Sequence, residues 1–292
     1  MPLPTRPLGT HGPRVPRVPA IGYGPSLPNA QRLAFLDKLY ASGQRFWDTS
    51  GIYGDSEDLL GICYIDLYYA HRADPGFPLR RLLGLWRSLE EPTLMYISRQ
   101  GKIKHLSLSE VSAITLWRTH AMSHIAAVQV EYSPFAFEIE SPLTNLLAIC
   151  KELGVAVIAY SPLGRGLLTG ALKSIDHLDP DDFRRKAPRY FPENLSKNVV
   201  LVKDLQRLAE RKGCSTSQLV LAWLLAQWGM VILIPGTTRW ENYEEDMGAL
   251  NVSLGEEVAE IRGVIERAEV VGARFPEAWA KHLFVDTVPL EE

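Results

Sequence analysis

Cysteine is scarce in this chain, with three residues in 292, at Cys63, Cys150 and Cys214. They are odd in number and far apart, so they form neither a disulfide framework nor a thiolate metal cluster. Reduced, mostly buried thiols in a reducing cytoplasm are the expectation. Long apolar runs are missing as well. No uninterrupted stretch approaches the ~20 residues of a membrane span. The opening MPLPTRPLGTHGPRVPRVPA holds no apolar core of signal-peptide length. The expected protein is cytoplasmic, with no membrane partner. Charge of one sign is lacking too: 31 Lys and Arg stand against 34 Asp and Glu, a net charge of -3. With no basic run longer than Arg184-Arg185-Lys186, nucleic acid is not an expected partner. A GxGxxG dinucleotide fingerprint is also absent. IGYGPSLP at 21–28 does not match it, which argues against a Rossmann site.

What is present is an ordinary globular composition, 46% hydrophobic and 22% charged. The length suits one α/β domain over 1–292, the size of a β/α barrel. Apolar strand patterns fall at 20–24, 46–48, 65–71, 104–108, 127–131, 155–160 and 231–234. Amphipathic helix patterns fall at 31–42, 56–61, 78–90, 111–122, 142–153, 199–212, 217–227, 240–250 and 255–268. Strand–helix alternation predicts a parallel sheet. Polar residues gather at strand ends: Asp48, His71, Ser109, Gln129, Tyr160-Ser161 and Pro235-Gly236-Thr237-Thr238. A barrel brings all strand C-termini to one mouth, whereas an open sheet uses mainly its switch point. The spread of polar ends therefore favours a barrel.

Six ordered segments carry a family resemblance. They are FWDTSGIYGDSEDLLG (46–61), YIDLYYAHRADP (64–75), GKIKHLSLSEVSA (101–113), AAVQVEYSPF (126–135), GVAVIAYSPLGRGLLTG (154–170) and IPGTTRWENYEEDMGALNVSL (234–254). Together they resemble the aldo-keto reductase family, in its YakC-like bacterial and fungal branch. The resemblance implies a TIM-type (β/α)8 barrel with an N-terminal hairpin beneath it, for which residues 6–8 and 14–15 are candidates. It implies NADPH/NADP+ as cofactor and a small-molecule carbonyl substrate, with no metal. Asp48, Tyr53 and His71 correspond to the catalytic residues. Ser109, Glu110 (often Asn in the wider family) and Gln129 correspond to nicotinamide carboxamide contacts. Tyr160 corresponds to the ring under the nicotinamide. Ser161, Leu163 and Arg165 match the pyrophosphate loop, and Gly236, Thr237, Thr238 and Arg239 the 2′-phosphate region. Glu245 and Asp246 match the adenine contacts, although Asp246 stands where the family usually has Asn.

The same residues have plainer readings. Asp48 alone is also a turn cap, Tyr53 a rim aromatic and His71 a satisfied polar residue. Chemically, carbonyl reduction needs a proton donor for the developing alkoxide, and a tyrosine serves if its pKa, ~10 when unperturbed, is brought down. Pro-Gly-Thr before a helix is a common turn, yet threonine hydroxyls, helix N-terminal amides and an arginine fork together suit a phosphate. Trp47 reads as core.

The chain also departs from the pattern. After Gly61 the family continues with further helix and a third strand ending in a catalytic lysine. Here ICYIDLYY, the fourth strand, follows at once. Seven barrel strands are recognisable rather than eight. Lys102 and Lys104 flank a strand start and are expected at the far end. Three readings follow: a working reductase, an impaired NADP(H)-binding relative acting through a partner, or a mis-spliced product.

Overall fold

The computed structural model describes residues 3–18, 28–50, 55–60, 65–69 and 103–288. The predicted strand at 20–24, the helix at 78–90 and the junction after residue 60 lie outside the described residues. So do Tyr53, Cys63, His71 and Lys102.

Two sheets are present among the described residues. Strands β1 (Thr5–Pro7) and β2 (Arg14–Pro16) pair antiparallel, with Arg6 opposite Val15. Five parallel strands follow in sequence order across one sheet: β3 (Ile65–Tyr69), β4 (Ile103–Ser109), β5 (Ile125–Glu131), β6 (Ala156–Tyr160) and β7 (Val231–Ile234). The segment predicted as a strand at 46–48 is instead extended chain with a single bridge at Trp47.

Side chains alternate across a strand, so each strand feeds two cores. On the inner face, Ala127, Ala156, Ile158, Ile232 and Ile234 pack against Leu8 and Val15 of the hairpin region. On the outer face, Val128, Val130, Val157, Ala159, Val231 and Leu233 pack against helices. Burial on both faces explains why these strands read as continuous apolar runs. Gly9 lets the hairpin approach so closely: at φ +76°, a Cβ there would lie 2.4 Å from the Ala126 carbonyl oxygen. Arg6 pins the hairpin to the sheet, donating to the carbonyls of Leu225, Trp228 and Val231 at 2.7–3.0 Å.

The described helices are α1 (Asn29–Ala41), α2 (Ser56–Leu60), α3 (Ala113–Met122), α4 (Leu146–Leu153), α5 (Pro192–Lys212), α6 (Thr216–Gln227), α7 (Trp240–Gly248), α8 (Glu257–Arg267) and α9 (Glu277–Ala280). α5 begins seven residues before the predicted start because Pro192 occupies its first turn, where the missing N–H costs nothing. α4 starts four residues late, after Asn145 in the left-handed region at φ +51°. α6 opens on a reciprocal Ser215–Gln218 capping box and is buried almost all round. After α8 the chain returns to the sheet, where Val285 bridges Val111 and its N–H donates to the Glu110 carbonyl at 3.0 Å.

Candidate active site

Parallel register brings the C-terminal ends of β3–β7 to one side. Ser109 sits opposite Gln129, and Glu131 opposite Tyr160. Residues 127, 129 and 131 share a strand face, so Gln129 and Glu131 continue the inner face on which Ala127 is buried.

Asp48 is tied into this face although it lies on a loop. The Gln129 amide nitrogen donates to Asp48 Oδ1 at 3.0 Å and reaches the Tyr69 hydroxyl at 2.7 Å. The Tyr69 hydroxyl donates to the same Asp48 oxygen. Two donors converge on one carboxylate oxygen, and the Gln129 amide oxygen takes no part in these bonds. Burial of the carboxyl pushes the Asp48 pKa up to about 7, against the opposing pull of the Gln129 hydrogen bond. Among the described residues no cation pairs with Asp48. Lys104, near the start of β4, pairs instead with Asp66 at 2.6 Å, and both are exposed. Trp47 packs beside Leu39 and Tyr243 as core.

Glu110 follows β4 with φ +51°, a costly backbone for a non-glycine residue. Its carboxylate is fully buried and meets Arg274 in a bidentate pair, Nη1 to Oε1 at 3.0 Å and Nη2 to Oε2 at 3.1 Å. The Tyr160 hydroxyl donates to the same Oε1 at 2.6 Å. Glu131, buried as well, faces Arg274, Arg165 and Arg189 at 3.4, 3.5 and 3.6 Å. Glu110 therefore offers the mouth its backbone, while its carboxylate anchors Arg274.

The loop after β6 is built from left-handed residues: Ser161, Gly164, Arg165 and Gly166 all have positive φ. A Cβ on Gly166 would meet only Arg184 Nη1, at 3.6 Å, so backbone is open to approach there. The Arg165 side chain turns inward, donating to the Arg274 carbonyl at 2.9 Å and lying over the Phe183 and Phe275 rings. Beyond β7, Gly236 and Arg239 are exposed, Thr238 is half-buried and Thr237 is buried. The Arg239 N–H donates to Thr237 Oγ1 at 3.1 Å, shaping the turn into α7. Arg239 itself reaches only Glu241 among the described residues, at 3.8 Å, with both side chains about 70% exposed. Glu245 is exposed. Asp246 is buried, and desolvation with a smaller push from Glu245 raises its pKa to about 7.

The structure thus brings Asp48, Ser109, Gln129 and Tyr160 to one set of strand ends. Tyr69, Glu131 and Arg274 join them without having been singled out. Tyr69 had a readable signal, since period two along IDLYY puts it on the face of Leu67. Arg274 had none, because it sits in a short aperiodic segment far along the chain.

The aldo/keto reductase family model matches residues 60–266, which is more than half of the chain. The chain belongs to the aldo/keto reductase family. Its (β/α)8 barrel is the frame to which the five parallel strands belong. Among curated relatives, the aldo-keto reductase str7 of Strobilurus tenacellus is 37% identical over 328 aligned positions, covering 94% of this reductase chain and 95% of that protein. The aldo-keto reductase yakc [NADP(+)] of Schizosaccharomyces pombe is 45% identical over 232 positions, covering 79% and 66%. The crystal structure of the thermostable aldo-keto reductase Tm1743 with epalrestat superposes with a TM-score of 0.68 at 21% identity, over 90% of this chain and 99% of that one. At that identity it supports the fold.

Proposed function

We propose that this aldo/keto reductase catalyses hydride transfer between NADP(H) and the carbonyl of a small aldehyde or ketone, or the reverse oxidation of the alcohol. The observation that carries the reading is the Asp48–Gln129–Tyr69 cluster, set in register with Ser109 and Tyr160 at the strand ends. The residues fit the dinucleotide. Ser109 and the Gln129 amide oxygen suit the carboxamide, and Tyr160 ends the neighbouring strand. Backbone of the loop holding Ser161, Leu163 and Arg165 suits a pyrophosphate. Gly236, Thr237, Thr238 and Arg239 suit the 2′-phosphate, since Arg239 is exposed at a helix start. Glu245 is the better adenine contact, because Asp246 is buried. When bound, the cofactor supplies or takes the hydride. Tyr53 gives the proton, His71 orients the substrate oxygen, and Asp48 shapes the electrostatics.

The catalytic lysine is proposed to be missing along with the third strand. The 328-position alignment with the Strobilurus relative exceeds the 292 residues of this chain, which fits a deletion. A carboxyl whose pKa is held near 7 beside no described cation favours a second reading, a poorly active NADP(H)-binding relative. One domain, a cytoplasmic setting, and no nucleic-acid or membrane partner complete the proposal. Among the described residues no helix is long and apolar enough to cross a membrane.

The test is titration with NADPH and NADH, followed by nicotinamide fluorescence. NADPH is expected to bind at least about tenfold tighter than NADH, the scale of one charge-assisted contact. Failure to bind either dinucleotide defeats the proposal.

A further inference from the structure

We propose that Arg274 is a positioning residue for the nicotinamide end of this site, acting through Glu110 and Tyr160. This rests on the cofactor reading above. Arg274 lies between α8 and α9, far in sequence from the strands, yet its side chain is only 4% exposed. Its Nη1 contacts Glu110 Oε1 at 3.0 Å and the Tyr160 hydroxyl at 3.1 Å, with Glu131 Oε2 at 3.4 Å. Its Nη2 holds the second Glu110 oxygen at 3.1 Å. One planar guanidinium therefore ties the ends of β4, β5 and β6 together. Glu110 passes the restraint on through its Oε1, which accepts from the Glu131 N–H at 3.2 Å.

The geometry has two consequences. First, the fork fixes the carboxylate of a residue whose backbone is held at φ +51°, so the turn directly after Ser109 cannot relax to a commoner conformation without breaking the pair. Second, the Tyr160 hydroxyl is held by donor and acceptor at once, accepting from Arg274 Nη1 and donating to Glu110 Oε1, so the ring has one orientation. Burial works against the Arg274 charge, but Glu110, Tyr160 and Glu131 outweigh it and keep the guanidinium charged above its ordinary range. A lysine has no planar fork and cannot replace both oxygens' partners.

The experiment uses the full chain with Arg274→Lys, Tyr160→Phe and the double variant. Thermal unfolding is read beside NADPH affinity and the emission of bound NADPH. Arg274→Lys is expected to raise the NADPH dissociation constant about tenfold and to change the bound-state emission. Tyr160→Phe keeps the buried ion pairs and removes only the hydroxyl, and the same changes in smaller degree are expected. The double variant is expected to lose less than the two single losses combined, because both changes break the Arg274–Tyr160 contact. If Arg274→Lys does not fold, Tyr160→Phe alone decides. Wild-type affinity and wild-type emission in every variant that folds overturn the inference while leaving the cofactor reading intact. A wild-type chain that binds no NADPH overturns both.

Discussion

Asp48 is the residue whose surroundings say most about this site. Its carboxyl pKa stands at about 7 in the folded chain against an ordinary 3.8, because it is desolvated. The folded state therefore keeps a proton that the unfolded chain releases. The stability this brings is full below about pH 4 and is lost as pH rises through about 7. Asp48→Asn keeps an oxygen for Tyr69 and Gln129 and removes the titration. Wild-type stability is expected to fall between about pH 4 and 7. The variant should fall less and be the more stable protein at the upper end, by up to ~4 kcal/mol at ~1.4 per pKa unit. Asp246, raised by the same cause, leaves a residual slope in the variant. Parallel melting-temperature curves for the two proteins would contradict the assignment. Arg239 gives a second residue-scale prediction. It is exposed and weakly paired, so Arg239→Ala should leave the fold intact, weaken NADPH binding about tenfold and leave NADH binding unchanged. Equal loss for both dinucleotides would place the 2′-phosphate elsewhere. These residues were legible because each stands at the end of an apolar run. Arg274 and Glu131 were not, since a buried ion pair between segments far apart in sequence leaves no periodic trace.

At the scale of elements, the hairpin is the piece on which the inner face depends. Leu8 is buried against Ala127, Ala156, Ile158, Ile232 and Ile234. Leu8→Ala is expected to cost about 2–5 kcal/mol, read as a lower urea midpoint. A change below ~0.5 kcal/mol, the size of an ordinary surface substitution, would show that the hairpin does not close this core. The strands from Ile65 onward and most described helices were visible as patterns within a few residues of their bounds, and the hairpin was implied by the family resemblance. The errors have local causes. Pro192 reads as a breaker but begins α5, and Asn145 in the left-handed region delays α4. The Phe46-Trp47-Asp48 segment reads as a strand end but shows a single bridge, and its order comes from Gln129, Tyr69 and the Trp47 packing.

For the whole molecule, the proposed function joins a dinucleotide site at the strand ends to the proposed loss of the cation that would lower the pKa of the proton donor; among the described residues no cation pairs with Asp48. Strand–helix alternation pointed to an α/β chain, and ordered motifs pointed to the family. The consequence of the proposed loss of an internal strand was not legible, because closure is a property of all strands together. General acid–base assistance is worth about 10²–10⁴ in rate and depends on a matched pKa. The most direct test is steady-state NADPH oxidation with a nitrobenzaldehyde, comparing this chain with one carrying a family-type third strand and its lysine after Gly61. The account predicts measurable but slow turnover in the chain as it stands, and a gain of about tenfold or more in the restored one. Equal turnover in the two would contradict it.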